Sequence, residues 1–406
     1  MAVTIIIPAH NLWPFTRACL QSLADCARGA AFRVVVADNG STDETVGACE
    51  PLGRQLFPGR FEHLRLGANL GFARGCNAGA QNVETEFLLF LNNDITATPG
   101  WLETLLAAMN ESERIHAASP LLLYPGSNRV QHAGVAYDPN LKAVHCFHQF
   151  PGSHPALGAI RGLQALSAAA LLVRRHAFEA VGGFWHEYVN GAEDLDLSCV
   201  LRRSGGRLVL AWQSVLHHAT SMTPGRHDHT AHNGRVLNRR VRGCFVPDLH
   251  RHAARAGYGL GLTPWLEPHM VMRPDAPEPE AGGDAKSLAA ALVAEPLWRR
   301  GYGLLLDLLE QGGDKDLAQI LGWAEAWAEL CPSRRSLSRA AQTARAADDA
   351  AAALRWEQRL AKAEAMIAAP GVLTDVARSS LAWCRLEGID DLTGLYEQWL
   401  DQAAGS

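Results

Sequence analysis

One plan recurs through the first hundred or so residues of this chain: a short aliphatic run, an abrupt polar cluster, then apolar and small residues at helical spacing. The runs "VTIII" (3–7), "FRVVVA" (32–37) and "EFLLFL" (86–91) stop at polar clusters spanning 8–11, 38–43 and 92–94. Runs this short and rich in Val, Ile, Leu and Phe read as buried strands. "FTRACLQSLADCA" and the residues after "DNGSTD" carry helical periodicity, "FEHLRL" reads as a further strand, and "GFARGCNAGAQNV" as a helix of small residues. Such alternation dictates a parallel sheet covered on both faces, with ligands gathered at the carboxyl ends of its strands.

From 115 to 220 the pattern is less regular, with strands expected at 118–123 and 167–173 and a helix at 175–181. "EDLDLSCVLRRSGG" opens with acids, closes with arginines and ends on glycines, the charge order of a well-capped helix. "RLVLAWQSVLHH" then reads as a strand ending on His217 and His218.

A chain of 406 residues exceeds what one core serves, so two domains are expected. The stretch 263–287 holds five prolines and an adjacent glycine pair, and divides the chain into an α/β domain at 1–262 and a helical domain at 288–406. In the latter Pro296, Pro332 and Pro370 recur between helical segments, the spacing of a short tetratricopeptide-type array. A formal charge of −5, with 19% charged residues, gives no case for nucleic acid. No apolar run approaches the ~18 residues of a membrane span, so the chain is expected in the cytoplasm, at most peripheral to the inner face of the membrane. Its nine cysteines lack any C-x-x-C pair and are expected to be reduced and mostly buried.

Each polar cluster has an ordinary account. Asp, Asn and Ser cap helices and close turns, and carboxylates favour a helix start. Taken together they deliver carboxylates and an imidazole to one edge of a sheet, a donor set suited to a hard cation with phosphate oxygens completing its shell.

The ordered motifs "TIIIPAHN", "VVVADNGSTDET", "NLGFARGCNAG", "FLLFLNNDI", "VGGFWHEYVNGAEDLDLS" and "SVLHHATSMT" resemble the family 2 glycosyltransferases, in particular the rhamnosyltransferase-like bacterial branch, over roughly residues 3–255. The resemblance implies the GT-A fold, a Rossmann-like mixed α/β sheet, followed here by an all-α domain. It implies a nucleoside pocket lined by Pro8, Ala9, His10 and Asn11, with Asp38, Asn39 and Gly40 at the second strand's end and Asn69, Gly71 and Asn77 continuing the wall. Asp94 would bind Mg²⁺ or Mn²⁺ bridging the donor's phosphates, with Asn93 beside the donor sugar or ribose. His217 matches the late metal ligand, with His218 as the alternative. Asp194 would be the base that deprotonates the acceptor, Glu193 its orienting neighbour or substitute, and Trp185 and Asp196 would face the acceptor.

The chain departs from the family pattern at Asn92, where many relatives place a carboxylate, at Trp185 and His186, which replace two acids, and at Val200, which replaces a frequent arginine. Segment 222–255 adds seven arginines, 226, 235, 239, 240, 242, 251 and 255, and "HDHTAH" offers His227, His229 and His232 to a zinc reading that no cysteines or acids support. The expected activity is metal-dependent, inverting transfer from a UDP- or dTDP-sugar, with rhamnose suggested by the branch, to a glycan or glycolipid acceptor in surface polysaccharide synthesis. Two other readings stand beside it: a protein or peptide acceptor held by the helical domain, which could instead pair two copies as a homodimer, and a non-catalytic nucleotide-sugar-binding module.

Overall fold

A computed structural model describes residues 2–26, 32–219, 229–312 and 315–404. Arg226 and His227 lie outside the described residues. The chain divides into two compact units, the first comprising 1–136, 144–147 and 160–246.

The first unit is built on a nine-stranded sheet. Strands β1 (Val3–Ala9), β2 (Phe32–Asp38), β3 (Phe61–Arg65) and β4 (Phe87–Leu91) run parallel in the order β3-β2-β1-β4. The sheet continues through Ala170–Arg174, β6 (Ile115–Leu123), Arg207–His218 and β5 (Ile95–Ala97), while Val130–His132 pairs with β6. The expected purely parallel order is corrected at two places: Ala170–Arg174 lies antiparallel between β4 and β6, and β5 pairs antiparallel with Arg207–His218. The mixed sheet implied by the family resemblance is the one found.

Both faces are covered, which is why β4 is buried at every position. Leu89 and Leu91 join Ile5, Ile7, Val34 and Val36 in one core with Leu20, Leu23, Trp101 and Leu105 from the helices Trp13–Asp25 and Trp101–Asn110. Phe90 points the other way and meets Phe178 and Phe184, each at 4.9 Å between ring centroids. That two-faced burial turns an unbroken apolar run into a central strand.

Arg174 ends its strand inside this core, 1% exposed. Its guanidinium donates to the carbonyls of Ile115 and Met109, each at 2.9 Å, and to Glu86 at 3.1 Å. A permanent cation at that depth is tolerable only because its donors are so matched.

One expectation about the cysteines is overturned. Cys199, on the helix Glu193–Arg203, is disulfide-bonded to Cys244, with Cα atoms 6.2 Å apart. The other seven are free, six of them buried. Sequence spacing carried no trace of this pair, because the two residues meet only when Thr230–Val241 folds back beside Glu193–Arg203.

The second unit comprises 137–143, 148–159 and 247–406, so the stretch 263–287 lies within it. Part of that stretch is structured: Pro268–Met272 pairs antiparallel with Tyr258–Leu262, and Trp265 and Leu266 are buried. The helices from Ala285–Ala294 to Asp390–Ala404 each pack on the next in sequence. Side-chain caps explain many of their starts: Asp284, Asp316 and Asp349 each accept from the backbone N–H three residues on, and Ser333 forms a capping box with Ser336. Pro370 opens its helix at the position where a missing N–H costs nothing. Among the described residues no helix is long and apolar enough to cross a membrane.

Candidate active site

The polar clusters do meet at the carboxyl ends of the strands, where two loops are first sewn to each other. Ala9 O accepts from Asn39 N at 2.7 Å, and the His10 ring lies 3.0 Å from Asn39 O. Asn11 N donates to Ser41 Oγ, while Asn11 Oδ1 accepts from Thr42 N and Asp43 N. These bonds hold Asn11 and Leu12 at φ values of 54° and 57°, a left-handed backbone that non-glycine residues rarely adopt. Pro8 lies inside β1, which runs on through Ala9 to this turn.

Asp38 proves to be an internal brace. It is 1% exposed, its Oδ1 accepts from Ser41 N at 2.8 Å, and its Oδ2 lies 3.3 Å from His63 Nε2. Asn39, also buried, donates to Asn69 Oδ1 and Gly71 O and accepts from Leu70 N. Gly40 is required where it stands: φ is +80°, and a Cβ there would come within 2.6 Å of the Ala68 carbonyl carbon. Asn77 spans 107 residues to Phe184, donating to its carbonyl at 2.7 Å and accepting from its N–H at 3.0 Å. Thus the residues assigned to the nucleoside wall are brought together, and much of their hydrogen-bonding capacity goes to shaping it.

At the end of β4 the geometry is more pointed. Asn92 N donates to Ala169 O, and Asn93 Nδ2 donates to Thr16 Oγ1. Asp94 Oδ1 is buried, accepts no hydrogen bond, and lies 3.1 Å from His218 Nε2. Gln131 grips the same histidine twice, its Nε2 donating to His218 O at 2.8 Å and its Oε1 lying 2.6 Å from His218 Nδ1. With the amide nitrogen committed to the carbonyl, the amide oxygen must accept, so Nδ1 carries a proton. Asn92 Nδ2 lies 3.1 Å from the His218 Nε2.

His218 and not His217 is therefore the neighbour of Asp94. His217 faces away, its Nδ1 3.4 Å from Tyr124 O. The cause is strand alternation: His218 shares its face with buried Leu216 and Ser214, and a shift of one residue exchanges faces.

Asp194 reaches the same region through one tripeptide. Ala168 N donates to Asp194 Oδ2 at 3.3 Å, Ala169 O holds Asn92, and Ser167 N donates to His132 Nε2. Burial and the neighbouring imidazoles of His145 and His218 hold His132 well below the ordinary histidine range, keeping it neutral. Asp194 Oδ1 accepts from Leu195 N at 2.9 Å, and buried Glu193 accepts from Gly191 N, securing the helix start.

Trp185 and Asp196 are joined by a residue singled out only as part of a basic segment. The Arg240 guanidinium lies over the Trp185 indole, 3.8 Å from its centroid, and Nε donates to Asp196 Oδ2 at 2.9 Å. One face of Trp185 is thereby covered. Burial raises the Asp196 carboxyl above its usual range, and Arg240 opposes the shift. Arg239 pairs with Glu187. His232 lies 3.1 Å from Glu187 O, and among the described residues no group of three or more His, Cys, Asp or Glu side chains forms a metal cluster.

Comparison with known proteins places this arrangement. The family model for glycosyl transferase family 2 matches residues 4–152. An uncharacterized protein of Sinorhizobium fredii, y4gI, is 28% identical over 56% of this chain and 25% of its own length. The O-antigen biosynthesis protein RfbC of Myxococcus xanthus is 29% identical over 54% of this chain and 17% of its own. The chain thus spans a quarter or less of these two relatives. The N-acetylglucosaminyl-diphospho-decaprenol L-rhamnosyltransferase of Mycobacterium tuberculosis is 30% identical over 66% of this chain and 92% of its own length. Among solved structures, the mannosyltransferase PcManGT of Pyrobaculum calidifontis aligns over 87% of each chain at a TM-score of 0.43 and 17% identity. With a matching family model and a relative 30% identical along 92% of its own length, the chain belongs to glycosyl transferase family 2.

Proposed function

We propose that this chain is a divalent-cation-dependent, inverting glycosyltransferase that moves a sugar from a nucleotide-diphosphate donor to a glycan or lipid-linked acceptor in bacterial surface polysaccharide synthesis. The observation that carries the metal reading is the juxtaposition of Asp94 and His218. A buried carboxylate oxygen that accepts no hydrogen bond and the His218 Nε2 stand 3.1 Å apart, close to the ~3 Å edge between adjacent ligands of a small octahedral ion with bonds of ~2.1 Å. Burying the Asp94 oxygen without a donor is unfavourable, and a cation bound there removes the cost. Two protein ligands suit a site whose other positions belong to water and the donor's phosphates. When bound, the ion would offset the charge that develops on the departing diphosphate.

The remaining work falls to the chain. The acceptor oxygen attacks the anomeric carbon as the bond to the diphosphate oxygen breaks, and the acceptor's proton passes to Asp194. Two backbone N–H groups fix that carboxylate in the first turn of its helix, which limits the reorganisation needed for proton transfer. Gln131 sets the His218 tautomer, as outer partners of metal-binding imidazoles do. The named chemistry of RfbC and of the Mycobacterium tuberculosis rhamnosyltransferase supports the polysaccharide setting and rhamnose as the first donor to try. The helical unit is read as a tetratricopeptide-like scaffold for acceptor or partner.

The test is nucleoside diphosphate release from a panel of UDP-, dTDP- and GDP-sugars, with and without EDTA. EDTA should abolish turnover and added Mn²⁺ or Mg²⁺ restore it. Asp194→Asn should lower turnover by ~10²- to 10⁴-fold while donor binding persists. Full activity in that variant removes Asp194 as base, and indifference to EDTA removes the metal role of Asp94.

A further inference from the structure

The second unit contains a cavity of about 740 Å³ whose lining includes Trp327, Arg335, Arg299, Gly303, Asp307 and Glu278. None of these belongs to the site described above. Trp327 is 4% exposed, yet its indole Nε1–H has no hydrogen-bond partner. A buried N–H without an acceptor is uncommon.

The charges around it are uneven. Glu278 is engaged by Arg300 at 3.6 Å and by the Trp298 indole at 3.0 Å, and Asp307 by Arg339 at 3.1 Å. Arg299 and Arg335 have no carboxylate partner among the described residues, and the Arg335 guanidinium lies 5.6 Å from the centre of the Trp327 ring. Two unmatched guanidinium groups and an orphan N–H call for an anion. The volume, in the range of small-molecule sites, is several times what a bare inorganic anion needs. The same walls carry carboxylate acceptors, which suit hydroxyl groups because each hydroxyl both donates and accepts.

We propose that this cavity is a second carbohydrate-binding site, specific for an anionic saccharide. The anion, a sugar phosphate or a uronate carboxylate, meets Arg299, Arg335 and the Trp327 N–H, and the hydroxyls meet Asp307 and Glu278. The site does not depend on the reading of the N-terminal unit, and it gives the helical unit a grip on a charged glycan.

Binding is measured on the full chain by calorimetry and tryptophan fluorescence, with glucose 1-phosphate, a galacturonate trisaccharide, glucose, inorganic phosphate and an acidic peptide as probes. At least one of the two anionic saccharides should bind at least tenfold more tightly than glucose, phosphate or the peptide, and which one does so identifies the anion. Arg335→Gln should weaken that probe at least tenfold. Gly303→Leu should do the same by filling the cavity: a Cβ at 303 would lie 3.8 Å from Arg335 Nη2 and 3.9 Å from Trp327 Cη2, ordinary contact distances, so the helix keeps its fold. Circular dichroism checks that it does. Asp94→Asn should leave binding unchanged, separating this site from the catalytic one. Absence of binding, equal binding of glucose, phosphate or peptide, or binding unaffected by folded Arg335→Gln and Gly303→Leu variants overturns the proposal.

Discussion

The Cys199–Cys244 disulfide makes a quantitative prediction. It closes a loop of 45 residues that contains the whole of Arg207–His218 and Thr230–Val241. In the chain-entropy treatment a loop of that length restricts the unfolded state by about 4 kcal/mol at 25 °C. Cys244→Ser is the cleaner perturbation, since Cys244 is only half-buried whereas Cys199 is 0% exposed and a hydroxyl there would lose its solvation. For a unit of this size the loss corresponds to a fall of roughly 8 to 16 °C in unfolding temperature, as an upper bound. The assay is a melt of the unreduced protein with and without dithiothreitol, beside the variant, together with a thiol titration in denaturant. The unreduced protein should titrate seven thiols, dithiothreitol should shift its melt down to that of Cys244→Ser, and the variant should ignore the reductant. Nine titratable thiols before reduction, or a melt indifferent to dithiothreitol, refutes the reasoning. The bond also ties the helix that carries Asp196 to the residues just after the helix that carries Arg240, so reduced protein should show a weakened acceptor affinity as well as lower stability.

Two further outcomes follow from single imidazoles. His218→Ala should weaken the cation requirement's half-saturation by at least ~10- to 100-fold, while His217→Ala, which faces Tyr124, should leave it unchanged; the reverse result restores His217 as the ligand. His269, whose imidazole burial holds at about 4 against an ordinary 6.5, binds a proton in the unfolded chain before it does so in the folded one. Its contribution to stability is therefore complete above pH 6.5 and is lost as pH falls toward 4. Urea unfolding of His269→Asn across that window should show an acid limb shallower by up to about 1.4 kcal/mol per pH unit, and an unaltered slope would contradict the assignment.

Much of this was legible in the sequence, for physical reasons that can be named. Residues 3–7, 32–37 and 86–91 announced β1, β2 and β4 because unbroken aliphatic runs have few other uses in a chain with polar stops at each end. The polar stops then declared the sheet edge where Asp94 and Asp194 gather. What failed was whatever depended on partners distant in sequence. Nothing local says that Ala170–Arg174 runs antiparallel, since direction is set by the crossover and not by the strand's own residues. The Cys199–Cys244 pair, and the clamp of Arg240 on Trp185, required the fold of Thr230–Val241. The choice between His217 and His218 was within reach: counting alternate positions back through Leu216 and Ser214 puts His218 on the inward face.

The strand Ala170–Arg174 bears on how the molecule is made. It is the slat between β4 and β6, so the sheet has a gap at its middle until residue 174 is available. A ribosome that has released only the stretch matched by the family model, which ends at 152, would hold out two aliphatic strand edges with no partner, the kind that recruit strands from other chains. The stretch that the family model matches and the folding unit are then different lengths of chain. A fragment cut at residue 152 should aggregate, and one carried through Val246 should not.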